Sequence, residues 1–242
     1  MTKPRTLVIL PAWNEEKALP DLLAELVREC PDVDVLVIDD ASTDNTNSAA
    51  RTVPGVRVLS LPINIGVGGA TRAGLLYGER GGYEAVVQCD ADGQHPPADI
   101  PRLVAQLKTA DMVIGARFAG ADGYQVRGPR RWAMRLLSRV FSRMHRVRLT
   151  DTTSGFRAFG PQAISLFSQV MPPEYLGDTV DALVIAKRHR LRVEQVPVAM
   201  RERQAGTASH GSVLAGVFLA RALFILLLSL PRLVIRRRKA QS

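Results

Sequence analysis

Short apolar runs alternate with segments of helical periodicity five times over about the first 115 residues. Each run has three to six residues and ends at prolines, glycines or acidic residues, as buried parallel strands do. The predicted strands are 7–10, 33–38, 56–59, 85–87 and 112–114, and the helices between them begin near 19, 46, 66 and 100. This alternation predicts an α/β fold with a mainly parallel sheet and helices on both faces.

The pattern loosens after residue 117. Residues 123–150 hold eight arginines and no acidic residue, with apolar residues interleaved, which predicts an amphipathic basic helix. A polar turn is expected at 151–157, helices at 161–169 and 178–189, and one more strand at 192–198. We assign 1–210 to one domain, a usual size for an α/β fold.

Charge is divided unevenly along the chain. Residues 1–116 have a net charge of −6 and residues 117–242 a net charge of +15. An acidic, metal-capable half joined to a basic half favours polyanionic ligands and an anionic surface, either nucleic acid or a membrane. The two cysteines have neither disulfide-framework nor metal-ligand spacing, which fits a reducing compartment.

Two carboxylates, Asp90 and Asp92, follow the fourth predicted strand directly. Ligands bind at this end of the strands in open α/β sheets. With the amide oxygen of Gln94 they suit a hard divalent cation, Mg²⁺ or Mn²⁺. Read alone, the same residues also fit a solvated polar turn.

The C-terminal segment 211–242 is apolar from 213 to 230 except for Arg221, and then carries four consecutive cations at 236–239. A single span would place these cations outside, against the positive-inside rule. We therefore expect a peripheral helix on the cytoplasmic side of the membrane, at an anionic surface. A core-packing or oligomer-forming helix is the alternative.

Five motifs stand in the order seen in family 2 inverting glycosyltransferases: Pro11-Ala-Trp-Asn-Glu-Glu, Val37-Ile-Asp-Asp-Ala-Ser-Thr-Asp, Asn64-Ile-Gly-Val-Gly-Gly, Asp90-Ala-Asp-Gly-Gln-His and Thr153-Ser-Gly-Phe-Arg. The chain most resembles dolichyl-phosphate mannose synthases and bacterial polyprenyl-phosphate glycosyltransferases. The resemblance implies a GT-A fold, a nucleotide-sugar donor with uracil or guanine as base (UDP- or GDP-sugar), and a divalent metal.

The resemblance also implies roles for particular residues. The nucleotide pocket would be formed by Pro11, Trp13, Glu15, Asp39, Asp40 and Gly68, although helix packing explains the glycines equally well. Asp90, Asp92 and Gln94 would hold the metal across the donor diphosphate, and phosphate would be bound by Arg117, Arg131, Arg201 and Arg203. Asp92 and Arg117 are then catalytic candidates through metal and phosphate binding.

The chain departs from the family pattern at the catalytic base. No Glu-Asp pair occurs around Tyr175-Leu-Gly-Asp178-Thr-Val-Asp181, and His210 stands where a lysine is expected. A polyprenyl phosphate is already largely ionised near neutrality and needs little base. The sequence therefore predicts transfer of a hexose to a polyprenyl phosphate, with inversion.

Two alternatives remain beside that prediction. The first is transfer to a hydroxyl of a glycan, lipid or natural product, with Asp178 as catalytic base. The second is a nucleic-acid-binding module, disfavoured because the arginine-rich segment has the apolar spacing of a packed helix and no recognition motif is present. We expect no nucleic-acid partner, and a separate membrane protein as a further partner stays open.

Overall fold

A computed structural model of the chain describes residues 4–117, 129–173 and 177–201. The strands within these ranges are β1 (Thr6–Ala12), β2 (Asp34–Asp39), β3 (Val56–Ser60), β4 (Ala85–Gln88), β5 (Met112–Ala116), β6 (Arg157–Phe159) and β7 (Val193–Pro197). The α-helices are α1 (Leu19–Glu29), α2 (Thr46–Arg51), α3 (Gly66–Arg80), α4 (Ile100–Gln106), α5 (Pro129–His145), α6 (Pro161–Val170) and α7 (Ala182–Arg188). A 3₁₀ turn at Pro97–Asp99 and a π-helical turn at Gly177–Asp181 complete this part of the chain.

The strands form one sheet in the order β3-β2-β1-β4-β6-β5-β7. All pairs in it are parallel except those of β6, which runs antiparallel to both β4 and β5. The strands and helices predicted before residue 117 are all present, with bounds that differ by three residues at most. The predicted α/β fold is confirmed.

Strand β1 shows why the central strands read as unbroken apolar runs. Its side chains alternate between faces, so Leu7 and Ile9 join one buried cluster and Val8 and Leu10 join the other. Helices α3, α5, α6 and α7 contribute to the first cluster, and α1, α2 and α4 to the second. A strand covered on both faces has no position for a polar side chain.

Two glycines of helix α3 face the sheet and let the helix approach the strands closely. A Cβ on Gly74 would stand 2.9 Å from Ile9 Cδ1, and one on Gly78 would stand 2.6 Å from Val86 Cγ2. Both distances are shorter than side chains tolerate. These glycines therefore have a packing reason that does not involve a ligand.

Strand β6 corrects the sequence analysis, which predicted a polar turn over 151–157 and no strand between it and the helix at 161–169. The strand has only three residues and starts with Arg157, which is fully buried. Such a short segment shows no periodicity, and a charged residue inside a sheet contradicts the apolar pattern that predicts buried strands.

The Arg157 guanidinium is stabilised by main-chain carbonyls. Its Nε donates to Ser154 O (2.9 Å), Nη1 to Asp178 O and Thr179 O (3.1 Å each), and Nη2 to Thr152 O (3.2 Å). Burial lowers the pKa of Arg157 to about 10, so the group stays charged at neutral pH. It ties the turn before β6 to the π-helical turn.

Helix α5 is amphipathic, as the sequence predicts. Leu137 and Phe141 are fully buried, whereas Arg139 and Arg143 on the same helix are exposed. Its last residue, His145, lies 3.0 Å from the carbonyl oxygen of Leu183 in α7, and burial lowers the pKa of this histidine to about 4. The helix is thus part of the folded domain.

Among the helices in the described ranges, none is both long and apolar enough to cross a bilayer. The C-terminal segment 211–242, on which the membrane prediction depends, lies outside those ranges. The boundary at residue 210 stays a prediction.

Candidate active site

Three polar loops leave the sheet at one edge because β2, β1 and β4 are parallel neighbours. The chain stays paired just beyond the strands, since Asp40 N–H donates to Ala12 O (2.9 Å) and Cys89 N–H donates to Ile9 O (3.0 Å). The topology therefore brings the candidate nucleotide residues and the candidate metal residues to the same edge, as predicted.

The loops after β1 and β2 are bound to each other. Asn14 N–H donates to Ser42 Oγ (3.1 Å), and Asn14 Oδ1 accepts from Thr43 N–H (2.8 Å). Asn14 has a φ of 57°, a left-handed conformation that asparagine tolerates. Beside it Trp13 is 48% exposed, so an aromatic face is available for a planar ligand.

Pro11 and Glu15 flank this aromatic residue. Pro11 is the sixth residue of β1 and pairs with Ile38 in the register of the sheet. Glu15 N–H donates to Thr46 Oγ1 (2.8 Å), which fixes the main chain of the loop to the start of α2. Pro11 thus lies within β1 and not in the loop where the sequence analysis placed it, and the role of both residues in a nucleotide pocket stays a prediction.

Asp40 is a main-chain ligand of the glycine-rich turn. It is buried, and its Oδ1 and Oδ2 accept from Ile65 N–H and Gly66 N–H, both at 2.8 Å. A carboxylate on the first amides of a helix satisfies donors that have no partner within the helix. The structure therefore gives Asp40 a capping role at α3.

Asp39 is also buried and accepts from Ser42 N–H (3.0 Å) and Asn47 Nδ2 (2.8 Å). These contacts fix its carboxylate at the end of β2, between the loop and α2. A carboxylate oxygen has more than one acceptor site, so the geometry leaves Asp39 able to accept from a further donor such as a ribose hydroxyl.

Gly68 in α3 faces the protein. A Cβ at this position would stand 2.0 Å from the carbonyl oxygen of Pro172, too close for any side chain. The packing of α3 against the segment after α6 thus explains this glycine. A contact between Gly68 and a nucleotide stays a prediction.

The candidate metal loop is a tight turn. Asp92 Oδ1 accepts from Gln94 N–H (3.0 Å), and Gly93 between them has a φ of 77°. Asp92 is buried, whereas the Asp90 side chain is 37% exposed. Two carboxylates and an amide oxygen within five residues supply the oxygen ligands that Mg²⁺ and Mn²⁺ take, with other positions left to water or phosphate.

His95 contacts Asp90 through both nitrogens of its imidazole ring. Its Nδ1 accepts from Asp90 N–H (2.9 Å), so the neutral ring carries its proton on Nε2, which lies 3.6 Å from Asp90 Oδ2. The imidazole stacks on Phe156 with ring centroids 4.8 Å apart. In the described ranges no three or more His, Cys, Asp or Glu side chains form a metal-binding group. The candidate metal ligands remain the two aspartates and Gln94, as a prediction.

Gly155 borders Asp90 on another side. A Cβ at this glycine would stand 2.7 Å from Asp90 Oδ1 and 3.0 Å from Oδ2. The Thr153-Ser-Gly-Phe-Arg motif thus brings main chain directly against the candidate metal ligand.

Arg117, at the end of β5, is oriented by Asp151. Its Nε donates to Asp151 Oδ2 (2.6 Å) and its Nη2 to Oδ1 (3.1 Å), and Nη2 also contacts Thr153 Oγ1 (3.2 Å). The Asp151 side chain is fully buried, while that of Arg117 is 29% exposed. The pair therefore holds a guanidinium in a fixed orientation that phosphate could still approach.

The burial of Asp178 makes it a poor candidate for contact with a substrate. It is 6% exposed and lies in the π-helical turn beside Arg157. Burial raises its pKa to about 7, against the opposing effect of the Arg157 charge, and the Asp90 charge adds to the rise. The carboxyl is thus near half-protonated at neutral pH.

No described contact brings the guanidinium group of another predicted arginine to these loops. The guanidinium of Arg201 is bound by Glu25 of α1, at 2.6 and 2.7 Å. Arg131 lies in α5 with its side chain outside the description, and Arg203 lies outside the described residues. Their phosphate contacts stay predictions.

Four residues of this region were missed by the sequence analysis: His95, Asp151, Phe156 and Glu25. Asp151 and Phe156 lie within or beside a motif that was recognised, so a charged partner for Arg117 could have been sought there. Glu25 offers no such signal, because it lies on an ordinary amphipathic helix 176 residues from Arg201.

A family model described as "Glycosyl transferase family 2" matches residues 7–167. The chain is 36% identical over 222 residues to an undecaprenyl-phosphate mannosyltransferase of Micrococcus luteus. The match covers 88% of this chain and 90% of the Micrococcus protein. The chain is 32% identical over 213 residues to a polyprenol monophosphomannose synthase of Mycolicibacterium smegmatis, which covers 84% and 80%.

The fold is similar to that of glucosyl-3-phosphoglycerate synthase from Mycobacterium tuberculosis, crystallised with Mn²⁺ and uridine-diphosphate-glucose. The TM-score is 0.67 at 24% identity, and the match covers 93% of this chain and 79% of that one. This likeness confirms the GT-A architecture of the described residues.

Proposed function

Because the chain belongs to glycosyl transferase family 2, we propose that it transfers a hexose from a nucleotide sugar to a polyprenyl phosphate, with inversion at the anomeric carbon. The observation that carries the choice of acceptor is the burial of Asp178, which is 6% exposed. A catalytic base must reach the acceptor hydroxyl within hydrogen-bond distance. A phosphate acceptor, already ionised, makes no such demand.

The names of the relatives support the same acceptor. The Micrococcus protein is named for undecaprenyl phosphate and the Mycolicibacterium protein for a polyprenol monophosphate product. This chain spans 80% or more of each of them. Both names also specify mannose, which makes a mannose donor the first to test.

The donor would lie across the loops after β1, β2 and β4. Trp13 would stack on the base and Asp39 would accept from base or ribose. Asp90, Asp92 and Gln94 would hold the divalent cation, Mg²⁺ or Mn²⁺. When bound, the cation would neutralise charge on the departing nucleoside diphosphate.

Arg117 would bind a phosphate of donor or acceptor, with Asp151 holding its guanidinium in place. A guanidinium pre-oriented by a buried carboxylate loses little side-chain freedom when a second anion binds. In the proposed arrangement the donor lies on the loops after β1, β2 and β4, and the acceptor phosphate lies near Arg117.

We place the reaction on the cytoplasmic side of the membrane, with the enzyme held peripherally by the segment 211–242. The +15 charge of residues 117–242 supports an anionic lipid surface as partner. Nucleic acid is not proposed as a partner, because α5 packs on the core through Leu137 and Phe141. A separate membrane protein would be a further partner if the lipid product is passed on.

A hydroxyl acceptor is the second candidate, and the pKa of Asp178 favours it. A carboxyl with a pKa of about 7 is well matched to proton transfer at neutral pH. In that case the π-helical turn must open enough for Asp178 to touch the acceptor.

The test uses full-length protein with Mn²⁺ or Mg²⁺, radiolabelled UDP- and GDP-hexoses, and a short polyprenyl phosphate. The matched control is the same prenol without phosphate. We expect labelled lipid from the phosphate and none from the alcohol. Equal labelling of both would overturn the phosphate acceptor in favour of a hydroxyl.

A further inference from the structure

Arg201 and Glu25 form an ion pair with two hydrogen bonds, which the sequence analysis did not predict. Arg201 Nη1 lies 2.6 Å from Glu25 Oε2, and Nη2 lies 2.7 Å from Oε1. The bond from Arg201 is the main reason that the pKa of Glu25 is lowered. Parallel fork-to-fork contacts of this kind are the most directional that an arginine makes.

The surroundings of the guanidinium are acidic. The hydrogen bond with Glu25 is the main reason that the pKa of Arg201 is raised, and the charges of Glu29, in the last turn of α1, and of Asp99, in the 3₁₀ turn, add to the rise. The acidic residues that act on this guanidinium therefore belong to α1 and the 3₁₀ turn. These elements belong to one face of the sheet and carry none of the predicted nucleotide residues.

The main chain of Arg201 reaches the candidate metal loop. Arg201 N–H donates to Gln94 O (3.0 Å), and Gln94 Nε2 lies 3.5 Å from Arg201 O. Gln94 N–H in turn donates to Asp92 Oδ1 (3.0 Å). A continuous series of contacts thus runs from Glu25 through Arg201 and Gln94 to the Asp92 carboxylate.

We propose that Glu25 is a positioning residue for the metal loop, and that Arg201 acts as a clip to Glu25 instead of as a phosphate ligand. The proposal rests on the proposed function for the role of Asp92. Breaking the clip would free Arg201 and loosen Gln94, so Asp92 would be held in a wider range of orientations. The loop would then have to become ordered when the metal binds, and the free-energy cost of this ordering would weaken metal binding.

The test is a charge exchange in the full-length protein: Glu25→Arg, Arg201→Glu and the double variant. The first readout needs no ligand and is amide hydrogen exchange in the peptide that contains 92–95. We expect faster exchange in each single variant and a return toward the parent rate in the double variant, because the exchanged pair can re-form.

The second readout is the Mn²⁺ concentration at which UDP or GDP gives half of its maximal thermal shift. We expect this concentration to rise about tenfold in each single variant and to return to within about threefold of the parent in the double variant. Arg28→Glu, an exposed charge reversal on the same helix, is the control and should change neither readout.

Two results would overturn the proposal. If the double variant binds as poorly as Arg201→Glu, Arg201 contacts the ligand itself. If Glu25→Arg leaves both readouts unchanged, the clip does not position the loop. Glu25→Gln, which keeps the shape of the side chain, replaces Glu25→Arg if the latter fails to fold. Absence of any nucleotide shift in the parent protein would count against the proposed function, while the exchange rates would still decide on the clip.

Discussion

The Asp90 carboxylate lies directly against the Cα atom of Gly155, with no room for a methyl group between them. The motif after β4 and the motif that leads into β6 therefore meet at this contact. Gly155, which has no side chain, therefore lets the carboxylate of the candidate metal ligand Asp90 take its observed position.

Gly155→Ala tests that contact. The new Cβ would stand 2.7 Å from Asp90 Oδ1, and the carboxylate has to turn away because its side chain is the part that can move. We expect Mn²⁺-dependent nucleotide binding to weaken by at least tenfold, with a stability loss of about 1 kcal/mol. Both are measured by thermal shift with and without ligand.

The control for this change is Gly160→Ala, at the other end of β6. Its Cβ would meet nothing closer than the Asp111 carbonyl oxygen at 3.4 Å. If both variants lose nucleotide binding equally, crowding of Asp90 is not the cause.

Asp92→Asn tests the metal. The amide keeps the size of the side chain and one oxygen that can accept from Gln94 N–H, but it removes the negative charge. We expect transfer to fall by orders of magnitude at an unchanged melting temperature, and a chelator to act in the same way on the parent. Full transfer in excess EDTA contradicts a metal-dependent reaction, and Asp21→Asn, at an exposed position of α1, serves as the neutral control.

The pH dependence of stability tests Asp178. Its carboxyl has a pKa of about 7 when folded and an ordinary pKa near 3.8 when unfolded. The folded state therefore binds more protons between these values, and this residue makes the free energy of unfolding fall as pH rises from about 4 to about 7. We expect Asp178→Asn to flatten that slope in melting curves measured across this range.

The same variant separates the two acceptors. With a polyprenyl phosphate acceptor, Asp178→Asn should keep transfer within a few-fold of the parent, because no base is required. A loss of several orders of magnitude, at a normal melting temperature, would instead favour the hydroxyl acceptor.

Trp13 reports on the nucleotide site. Its indole is 48% exposed, and stacking on a base would quench its fluorescence. We expect UDP or GDP with Mn²⁺ to quench the parent and to raise its melting temperature. Trp13→Phe leaves Trp132 as the remaining tryptophan and should lose the quench while keeping most of the thermal shift. A quench that persists in this variant arises elsewhere.

Truncation after Gly211 tests the C-terminal segment. Each cation near an anionic leaflet contributes about 1 kcal/mol, so removing 212–242 should release the protein from anionic liposomes in a sedimentation assay. Nucleotide binding should persist, because the candidate donor loops precede residue 120. Equal sedimentation of the truncated and full-length proteins would favour a core or oligomer helix.

Every described strand except β6 could be predicted, because strands buried on both faces must be apolar, as β1 shows residue by residue. The helices α6 and α7 and the strand β7 lie where the sequence analysis expected them. The candidate loops could be predicted because they follow those strands. Strand β6 could not, since its arginine is stabilised by carbonyls that only the folded chain brings together. A partner such as Glu25 for Arg201 depends on a tertiary contact that one sequence does not encode locally.

The position of β6 constrains the order in which the chain can assemble. This strand is made about 40 residues after β5, yet it lies between β5 and β4 in the sheet. During synthesis, β1–β4 can associate early, whereas β5 has no neighbour to pair with until β6 has left the ribosome. The edge of β4 stays open during that interval, which makes this step the one at which delayed translation or a chaperone would most affect the yield of native protein.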